Sequence, residues 1–422
     1  MKANEDLFGK TRLLNEVASV GTYEFQGTKE MLYLSPMDNI LYVNKRVKGG
    51  NASGSDWTNA IVELADALLW AYENREKGLW TKDKPLQIWV ATGVYNPLYS
   101  PEHGKDFTAT PGDMRDRAFL LVKNVQLFGG FPASGNPGME DRVLKPKGGS
   151  GSILSGDYDG NDATVGKGRY LKLTNRTNNA FHVVIAAGDM GGRSLLDGFT
   201  ITGGGSENKG TFIRINSESF SRSCGGGIYN VLTAGSVTFR NLEIIDNMAS
   251  SSSSYAYGGG IYNENKGTGA TRWFNNTVKS NTVSCSSLAA ATFGGGVYNQ
   301  NSAESTMLWK ENVIENNIAV STSLAYGGGV YNVNEGSMLW TDNIIGFNTA
   351  TSVAMSYGGG IFNRNAGMMG WHDNRINGNK ITPFGASFNG DGVYNRNSES
   401  GTMVWTIGGE VIFELEGEGN PL

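Results

Sequence analysis

In the second half of the chain, apolar and polar residues alternate with a period of two inside a unit that recurs every 31 to 36 residues. The phrase Gly225-Gly226-Gly227-Ile228-Tyr229-Asn230 returns in variants ending at Asn263, Asn299, Asn332, Asn363 and Asn395. Within it the Ile or Val shares a face with the Asn and opposes the Tyr, because successive side chains of a strand point to opposite faces. Eight to ten residues after each asparagine comes an aromatic, Phe239, Trp273, Trp309, Trp340, Trp371 or Trp405. The first five aromatics are followed after eight residues by Asn247, Asn281, Asn317, Asn348 and Asn379, and four of them after three residues by Asn276, Asn312, Asn343 and Asn374. Beyond residue 200 no segment carries the i, i+3, i+4, i+7 spacing of a helix.

A repeat of this length is one supersecondary unit that cannot bury its own apolar face and so stacks on copies of itself. The pattern predicts an all-β chain, a right-handed parallel β-helix (solenoid) with three short strands per unit. At about 4.8 Å per coil, the six marked coils span about 30 Å. Each repeated column then stacks on itself. Asparagines pass amide hydrogen bonds along the stack, aromatics lie on aromatics, and glycines turn the corners. The outward-facing column, Tyr229, Tyr262, Tyr298, Tyr331, Phe362 and Tyr394, is the candidate ligand-binding ladder, with sugar rings as the ligand.

Upstream the pattern is less regular. Residues 1–38 do not fit the repeat and read as an extension. Residues 39–84 read as a cap, with a first strand over 40–43 and an amphipathic helix over 58–74 whose face carries Ile61, Leu64, Ala65, Leu68 and Tyr72. A terminal coil exposes unpaired backbone and apolar interior, and a capping helix covers both. Residues 85–204 read as irregular coils with strands over 87–95, 119–131, 153–155, 181–186 and 195–202. Residues 205–408 are the regular repeats, and 409–422 an acidic tail.

Composition narrows the classes. Sixty of 422 residues are glycine, about twice the usual share and natural for a fold with many corners. A net charge of −5 with no basic stripe argues against a nucleic-acid partner. Cys224 and Cys285 fall at different phases of the repeat and read as unpaired. No apolar run has the length of a membrane span, and residues 1–7 lack the apolar stretch of a secretory signal. The expectation is export by another route, or a chain that is part of a larger one.

The glycine phrase resembles the motif of polymorphic outer membrane protein repeats, which pair it with an FxxN-type motif. Here the second motif stands as Trp309-Lys310-Glu311-Asn312, Trp340-Thr341-Asp342-Asn343 and Trp371-His372-Asp373-Asn374, with Trp in place of Phe. The N-terminal half is similar to secreted parallel β-helix proteins of Bacteroidota, in Ile88-Trp89-Val90-Ala91-Thr92-Gly93-Val94-Tyr95, Leu127-Phe128-Gly129-Gly130-Phe131 and Asp197-Gly198-Phe199-Thr200-Ile201-Thr202. The resemblance covers roughly residues 40–405. It implies an extracellular or cell-surface protein, adhesin-like or stalk-like, without naming an activity.

Parallel β-helices also carry polysaccharide lyases and glycoside hydrolases, which need clustered acids near a base. No Asp-Asp pair is present, and His103, His182 and His372 are scattered. The catalytic candidates are Asp391, an acid where the glycine series is otherwise unbroken, and Arg364 and Arg396, which lie one coil apart and stack near it. Asp157-Tyr158-Asp159-Gly160-Asn161-Asp162 resembles the start of a calcium loop, with Asp157, Asp159, Asn161 and Asp162 as the oxygen donors. No bidentate Glu follows, so calcium would reinforce structure; no other cofactor is implied. Three readings follow: a non-enzymatic surface or secreted solenoid binding a glycan or protein, a structural stalk, filament or spike subunit capable of self-association, and a carbohydrate-active enzyme.

Overall fold

The computed structural model describes residues 13–14, 17–18, 34, 36–102, 112–144, 150–166, 170–207, 212–383 and 387–416. Apart from a few antiparallel pairs, its strands stack in parallel as a β-solenoid. One sheet runs through eleven strands from Ile40–Val43 to Glu410–Glu416 and carries the tryptophans; we call it the tryptophan sheet. The glycine phrases lead into an eight-strand sheet, the glycine sheet, that includes Ile228–Ala234, Ile261–Asn265 and their successors to Val393–Asn397. A second eight-strand sheet of short strands, the short sheet, includes Glu243–Ile245 through Arg375–Asn377. These three sheets enclose the main core.

A regular coil has five strands where three were expected. The Ser/Ala segments before each glycine phrase form two more. One belongs to a six-strand serine sheet, from Gly205–Glu207 to Lys380–Pro383, and one to a five-strand tyrosine sheet, from Ala256–Tyr257 to Ser387–Asn389. The two extra sheets face each other across a small core of their own, Ala249, Ala256, Val283, Ala319, Ala325, Ala350 and Ile381. Alanine and serine are depleted from strands on average, but their small side chains suit two sheets packed this closely.

The register is that of the repeat. Asn230 pairs with Asn263, and Asn263, Asn299, Asn332, Asn363 and Asn395 follow in turn. Their amides form one buried ladder, each Nδ2–H donating to the next Oδ1 at 2.8–2.9 Å. A second ladder runs Asn247, Asn281, Asn317, Asn348, Asn379 and a third Asn276, Asn312, Asn343, Asn374. In these two, Oδ1 also accepts the backbone N–H of the preceding asparagine and Nδ2 donates to a carbonyl one coil back. A fourth ladder, Asn265, Asn301, Asn334, Asn365, Asn397, was not anticipated. Its signal lay in the Asn-x-Asn spacing, which puts both asparagines on the inner face. The tryptophans stack at 4.7–4.9 Å within 10° of parallel, and Phe239 fills the first rung. Among the described residues the indole N–H groups of Trp273, Trp309, Trp340, Trp371 and Trp405 have no hydrogen-bond partner, so this column holds by stacking and burial.

Both ends are closed. Helix α1 spans Leu64–Asn74 and buries eight residues against the first coils. It starts six residues later than expected because Ile61 is taken by the sheet. Its N–H donates to the Tyr42 carbonyl, and its own carbonyl accepts from Asn44. At the other end Glu410–Glu416, expected within a tail, is a strand lying antiparallel on Thr402–Ile407. Several expected strands contain a corner: residues 86–95 bend at Thr92, and 194–202 at Gly198, whose φ is +82°. No helix among the described residues is long and apolar enough to cross a membrane.

Candidate functional site

The aromatic column of the glycine sheet points away from the main core, as the alternation requires, yet it is not an open platform. Tyr229, Tyr298, Tyr331 and Phe362 are 4–8% exposed. A second ladder, Tyr257, Phe293, Tyr326 and Tyr357 of the tyrosine sheet, lies against it and stacks on itself at 4.9–5.3 Å. The two ladders meet edge to face, for example Tyr257 on Tyr298 at 71° and Tyr326 on Phe362 at 82°. The sequence did carry the signal, since an aromatic stands just before four of the six glycine phrases. The missing step was that the chain turns there and lays one column over the other.

That geometry removes the sugar-stacking reading. A sugar ring binds an aromatic through the ring face, and here most faces are covered by the rungs above and below: Tyr262 on Tyr298 at 5.0 Å, Tyr298 on Tyr331 at 5.6 Å, Tyr331 on Phe362 at 4.9 Å, Phe362 on Tyr394 at 5.1 Å. Ring edges and hydroxyls remain. Tyr262 donates to Glu264 and Tyr298 to Gln300, two residues along the same strand. Burial holds the ladder phenols above their usual pKa, Tyr331 at about 12, so they stay protonated donors.

Asp391 does not meet Arg364 and Arg396. Its carboxylate accepts the backbone N–H of Ile381 at 2.8 Å. Ile381 lies on the last strand of the serine sheet, where the N–H would otherwise bond to a further coil. The acid that interrupts the glycine series is therefore an edge cap. Arg364 and Arg396 do stand in register on adjacent coils. Both are exposed, and neither makes an ion pair among the described residues.

The calcium loop closes on itself. The Asp157 carboxylate accepts the backbone N–H groups of Asp159, Gly160, Asn161 and Asp162, at 2.8–3.4 Å. Asp159 accepts from the Asn178 amide. Asp162 is ion-paired with Arg176 at 2.9 Å and accepts from Asn179. The Asn161 backbone carbonyl accepts from Asn175. Among the described residues no group of three His, Cys, Asp or Glu side chains is placed to hold a metal. Burial pushes Asp162 up to about 6 despite Arg176.

The remaining singled-out residues are structural. His182 is buried, its Nδ1–H donates to the Gly225 carbonyl, and burial lowers its pKa to about 4, leaving it neutral. His372 bonds to Thr406; His103 lies outside the described residues. Both cysteines are free and buried.

Sequence reasoning missed the ionic cluster of the irregular coils. Asp197, fully buried, receives Arg142 at 3.1 Å, Arg240 at 2.6 Å and Asn241 at 2.7 Å. Arg115 and Arg222 lie over the Phe181 ring at 4.1 and 4.9 Å. Arg115 donates to the Asn179 and Gly205 carbonyls and Arg222 pairs with Asp116. These partners are far apart in the chain, and Asp197, Arg142, Arg115 and Asp116 lie in the irregular coils before the repeat, so the repeat alone could not bring them together.

The fold and these side chains define a parallel β-solenoid held by asparagine ladders. No family model, no curated protein and no solved structure matches the chain.

Proposed function

We propose that this protein is a non-enzymatic, extracellular or cell-surface solenoid, adhesin-like in kind, that binds a partner through its lateral faces. One observation carries the reading: the columns are uniform inside and varied outside. The inward positions of the glycine sheet repeat Ile or Val and Asn coil after coil. From the second glycine phrase on, the outward position between its two asparagine ladders reads Glu264, Gln300, Val333, Arg364, Arg396. A scaffold with an invariant interior and an individual surface is suited to presenting that surface. The likeness of the glycine phrase to polymorphic outer membrane protein repeats supports the same reading. The three catalytic candidates lend no support to a lyase or hydrolase, since Asp391 is engaged apart from the two arginines.

The test is affinity electrophoresis against acidic and neutral polysaccharides, alongside pull-down on immobilised surface proteins. Released reducing ends and unsaturated products are assayed in the same samples. Retention without product is the expected result, and with the ring faces covered a protein partner is expected over a neutral glycan. Product release would overturn the proposal.

A further inference from the structure

Two surfaces of the regular coils carry residues that their structural positions do not require. The first is the Arg364 and Arg396 pair. Stacked strands are about 4.8 Å apart, so two exposed guanidiniums are held side by side without a counter-charge among the described residues. By contrast Lys279 and Glu315, an outward pair in register on the short sheet, have opposite signs and meet at 2.8 Å. The arginines stand two residues beyond Phe362 and Tyr394, beside the seam of aromatic edges.

The second surface is the outer face of the short sheet. The corner after residue 346 needs a left-handed residue, and in successive coils it holds Asp246, Ser280, Asn316, Phe347 and Gly378, with φ between 56° and 61°. A bulky aromatic is the residue this conformation suits least. Yet Phe347 sits there at φ 56°, 57% exposed, its ring lying over Gly378 of the next coil. Ile344, on the same face, is also exposed. The corner on the other side of this sheet holds Glu311, Asp342 and Asp373 in three consecutive coils. Turn chemistry accounts for aspartate there but not for glutamate. Lys310 lies 3.4 Å from Glu311, the Gly408 N–H reaches Asp373, and among the described residues the Asp342 side chain makes no hydrogen bond or ion pair. Arg375 is exposed at the edge of the patch.

We propose that these two surfaces bind each other in neighbouring copies of this chain. The acidic corner lies along the Arg364 and Arg396 pair, and Phe347 packs against the aromatic seam. Two features point to a second copy over any other partner. The charges are complementary, and both columns advance by the same coil rise, so a second solenoid lying alongside can meet both arginines with acids of consecutive coils. An extended peptide presents same-face side chains about 6.6–6.8 Å apart and falls out of step. The contact joins two different patches, so it is heterologous and builds a ring or an open lateral array. This inference rests on the lateral-face reading above and names the partner.

Sedimentation velocity of the full chain over a wide concentration range, at low and at high salt, tests it. Association that weakens with salt is expected, with loss of about tenfold or more in affinity for Phe347→Asn and for the Arg364→Glu/Arg396→Glu pair. Phe347→Asn is chosen because asparagine suits the corner, so its Tm holds or rises while association falls. Mixing the Arg-reversed chain with one carrying Asp342→Arg and Asp373→Arg should restore hetero-association. A monomer at all concentrations in low salt, or undiminished association of Phe347→Asn, overturns the inference. Binding of another partner by that monomer would leave the lateral-face reading standing, whereas product release from polysaccharide removes that reading regardless of self-association.

Discussion

The irregular coils up to residue 204 and the regular coils beyond it are held closed by different chemistry. In the first region several buried polar groups are ions with individual partners, such as Asp197, which is held by Arg142 and by Arg240 of the next coil. In the second they are neutral amides with the same partner in every coil. An ion pair tolerates irregular geometry, because charge attracts from several directions, but removing one partner strands the other. An amide ladder needs strict register and in return places no net charge in the interior. The comparison shows why repeated sequence and ladders occur together: only a repeat supplies the register.

The largest effect that would sharpen this contrast is expected from Asp197→Ala. It leaves Arg142 buried without its carboxylate and should cost about 3–5 kcal/mol in urea unfolding. Asn317→Ala, in the middle of a ladder, removes the acceptor for the Asn281 backbone and side chain and the donor to Val278 and Asn348. A loss of about 3 kcal/mol is expected, and a loss below that of Asn379→Ala at the ladder's end would break the account.

A smaller effect concerns pH. The folded pKa of Asp162, about 6, lies above the ordinary value of about 3.9, so the folded state holds a proton that the unfolded state has released. Its stabilisation is complete below about pH 4 and is lost as pH rises through about 6, by about 3 kcal/mol at most. Asp197 works in the opposite direction. Burial raises its pKa, but the Arg240 hydrogen bond, the charge of Arg142 and the Asn241 bond together hold it below the usual range. Its contribution is lost only when pH falls below about 4. Hydrogen exchange at about pH 4.5 and about pH 8 should show the Asp162 loop loosening at the higher pH while the ladder amides are unchanged. Asp162→Asn should abolish the difference. The smallest effect is a gain: Phe347→Asn relieves a left-handed aromatic and should raise stability by about 1 kcal/mol, read as an upward shift in Tm.

The regular coils were legible because each inward column recurs: Ile228, Asn230 and Trp273 declare their faces through a period of two and their register through the repeat. The fourth ladder was visible at the same period and overlooked. Helix α1 was legible in its apolar face but not at its start, since only tertiary pairing decides that Ile61 belongs to the sheet. The candidate site was read less well. That Tyr298 points outward followed from alternation, whereas its coverage by Tyr257 and Phe293 depends on where the chain folds back after the serine sheet. Asp391 looked anomalous in sequence for a sound reason, the end of a sheet, which one-dimensional comparison could not distinguish from chemistry.

All four asparagine ladders run in one direction, each rung donating an Nδ2–H to the Oδ1 of the next coil toward the C-terminus. Among the described residues the Asn230 oxygen, at the first rung of the glycine-sheet ladder, has no donor, and the Asn395 amide, at the last rung, has no acceptor. The rod is therefore a row of aligned amide dipoles with a distinct head and tail. A chain emerging from the ribosome N-terminus first always presents donors at its growing edge, and each new coil arrives carrying the oxygens that accept them. The two ends of such a molecule can never be interchanged.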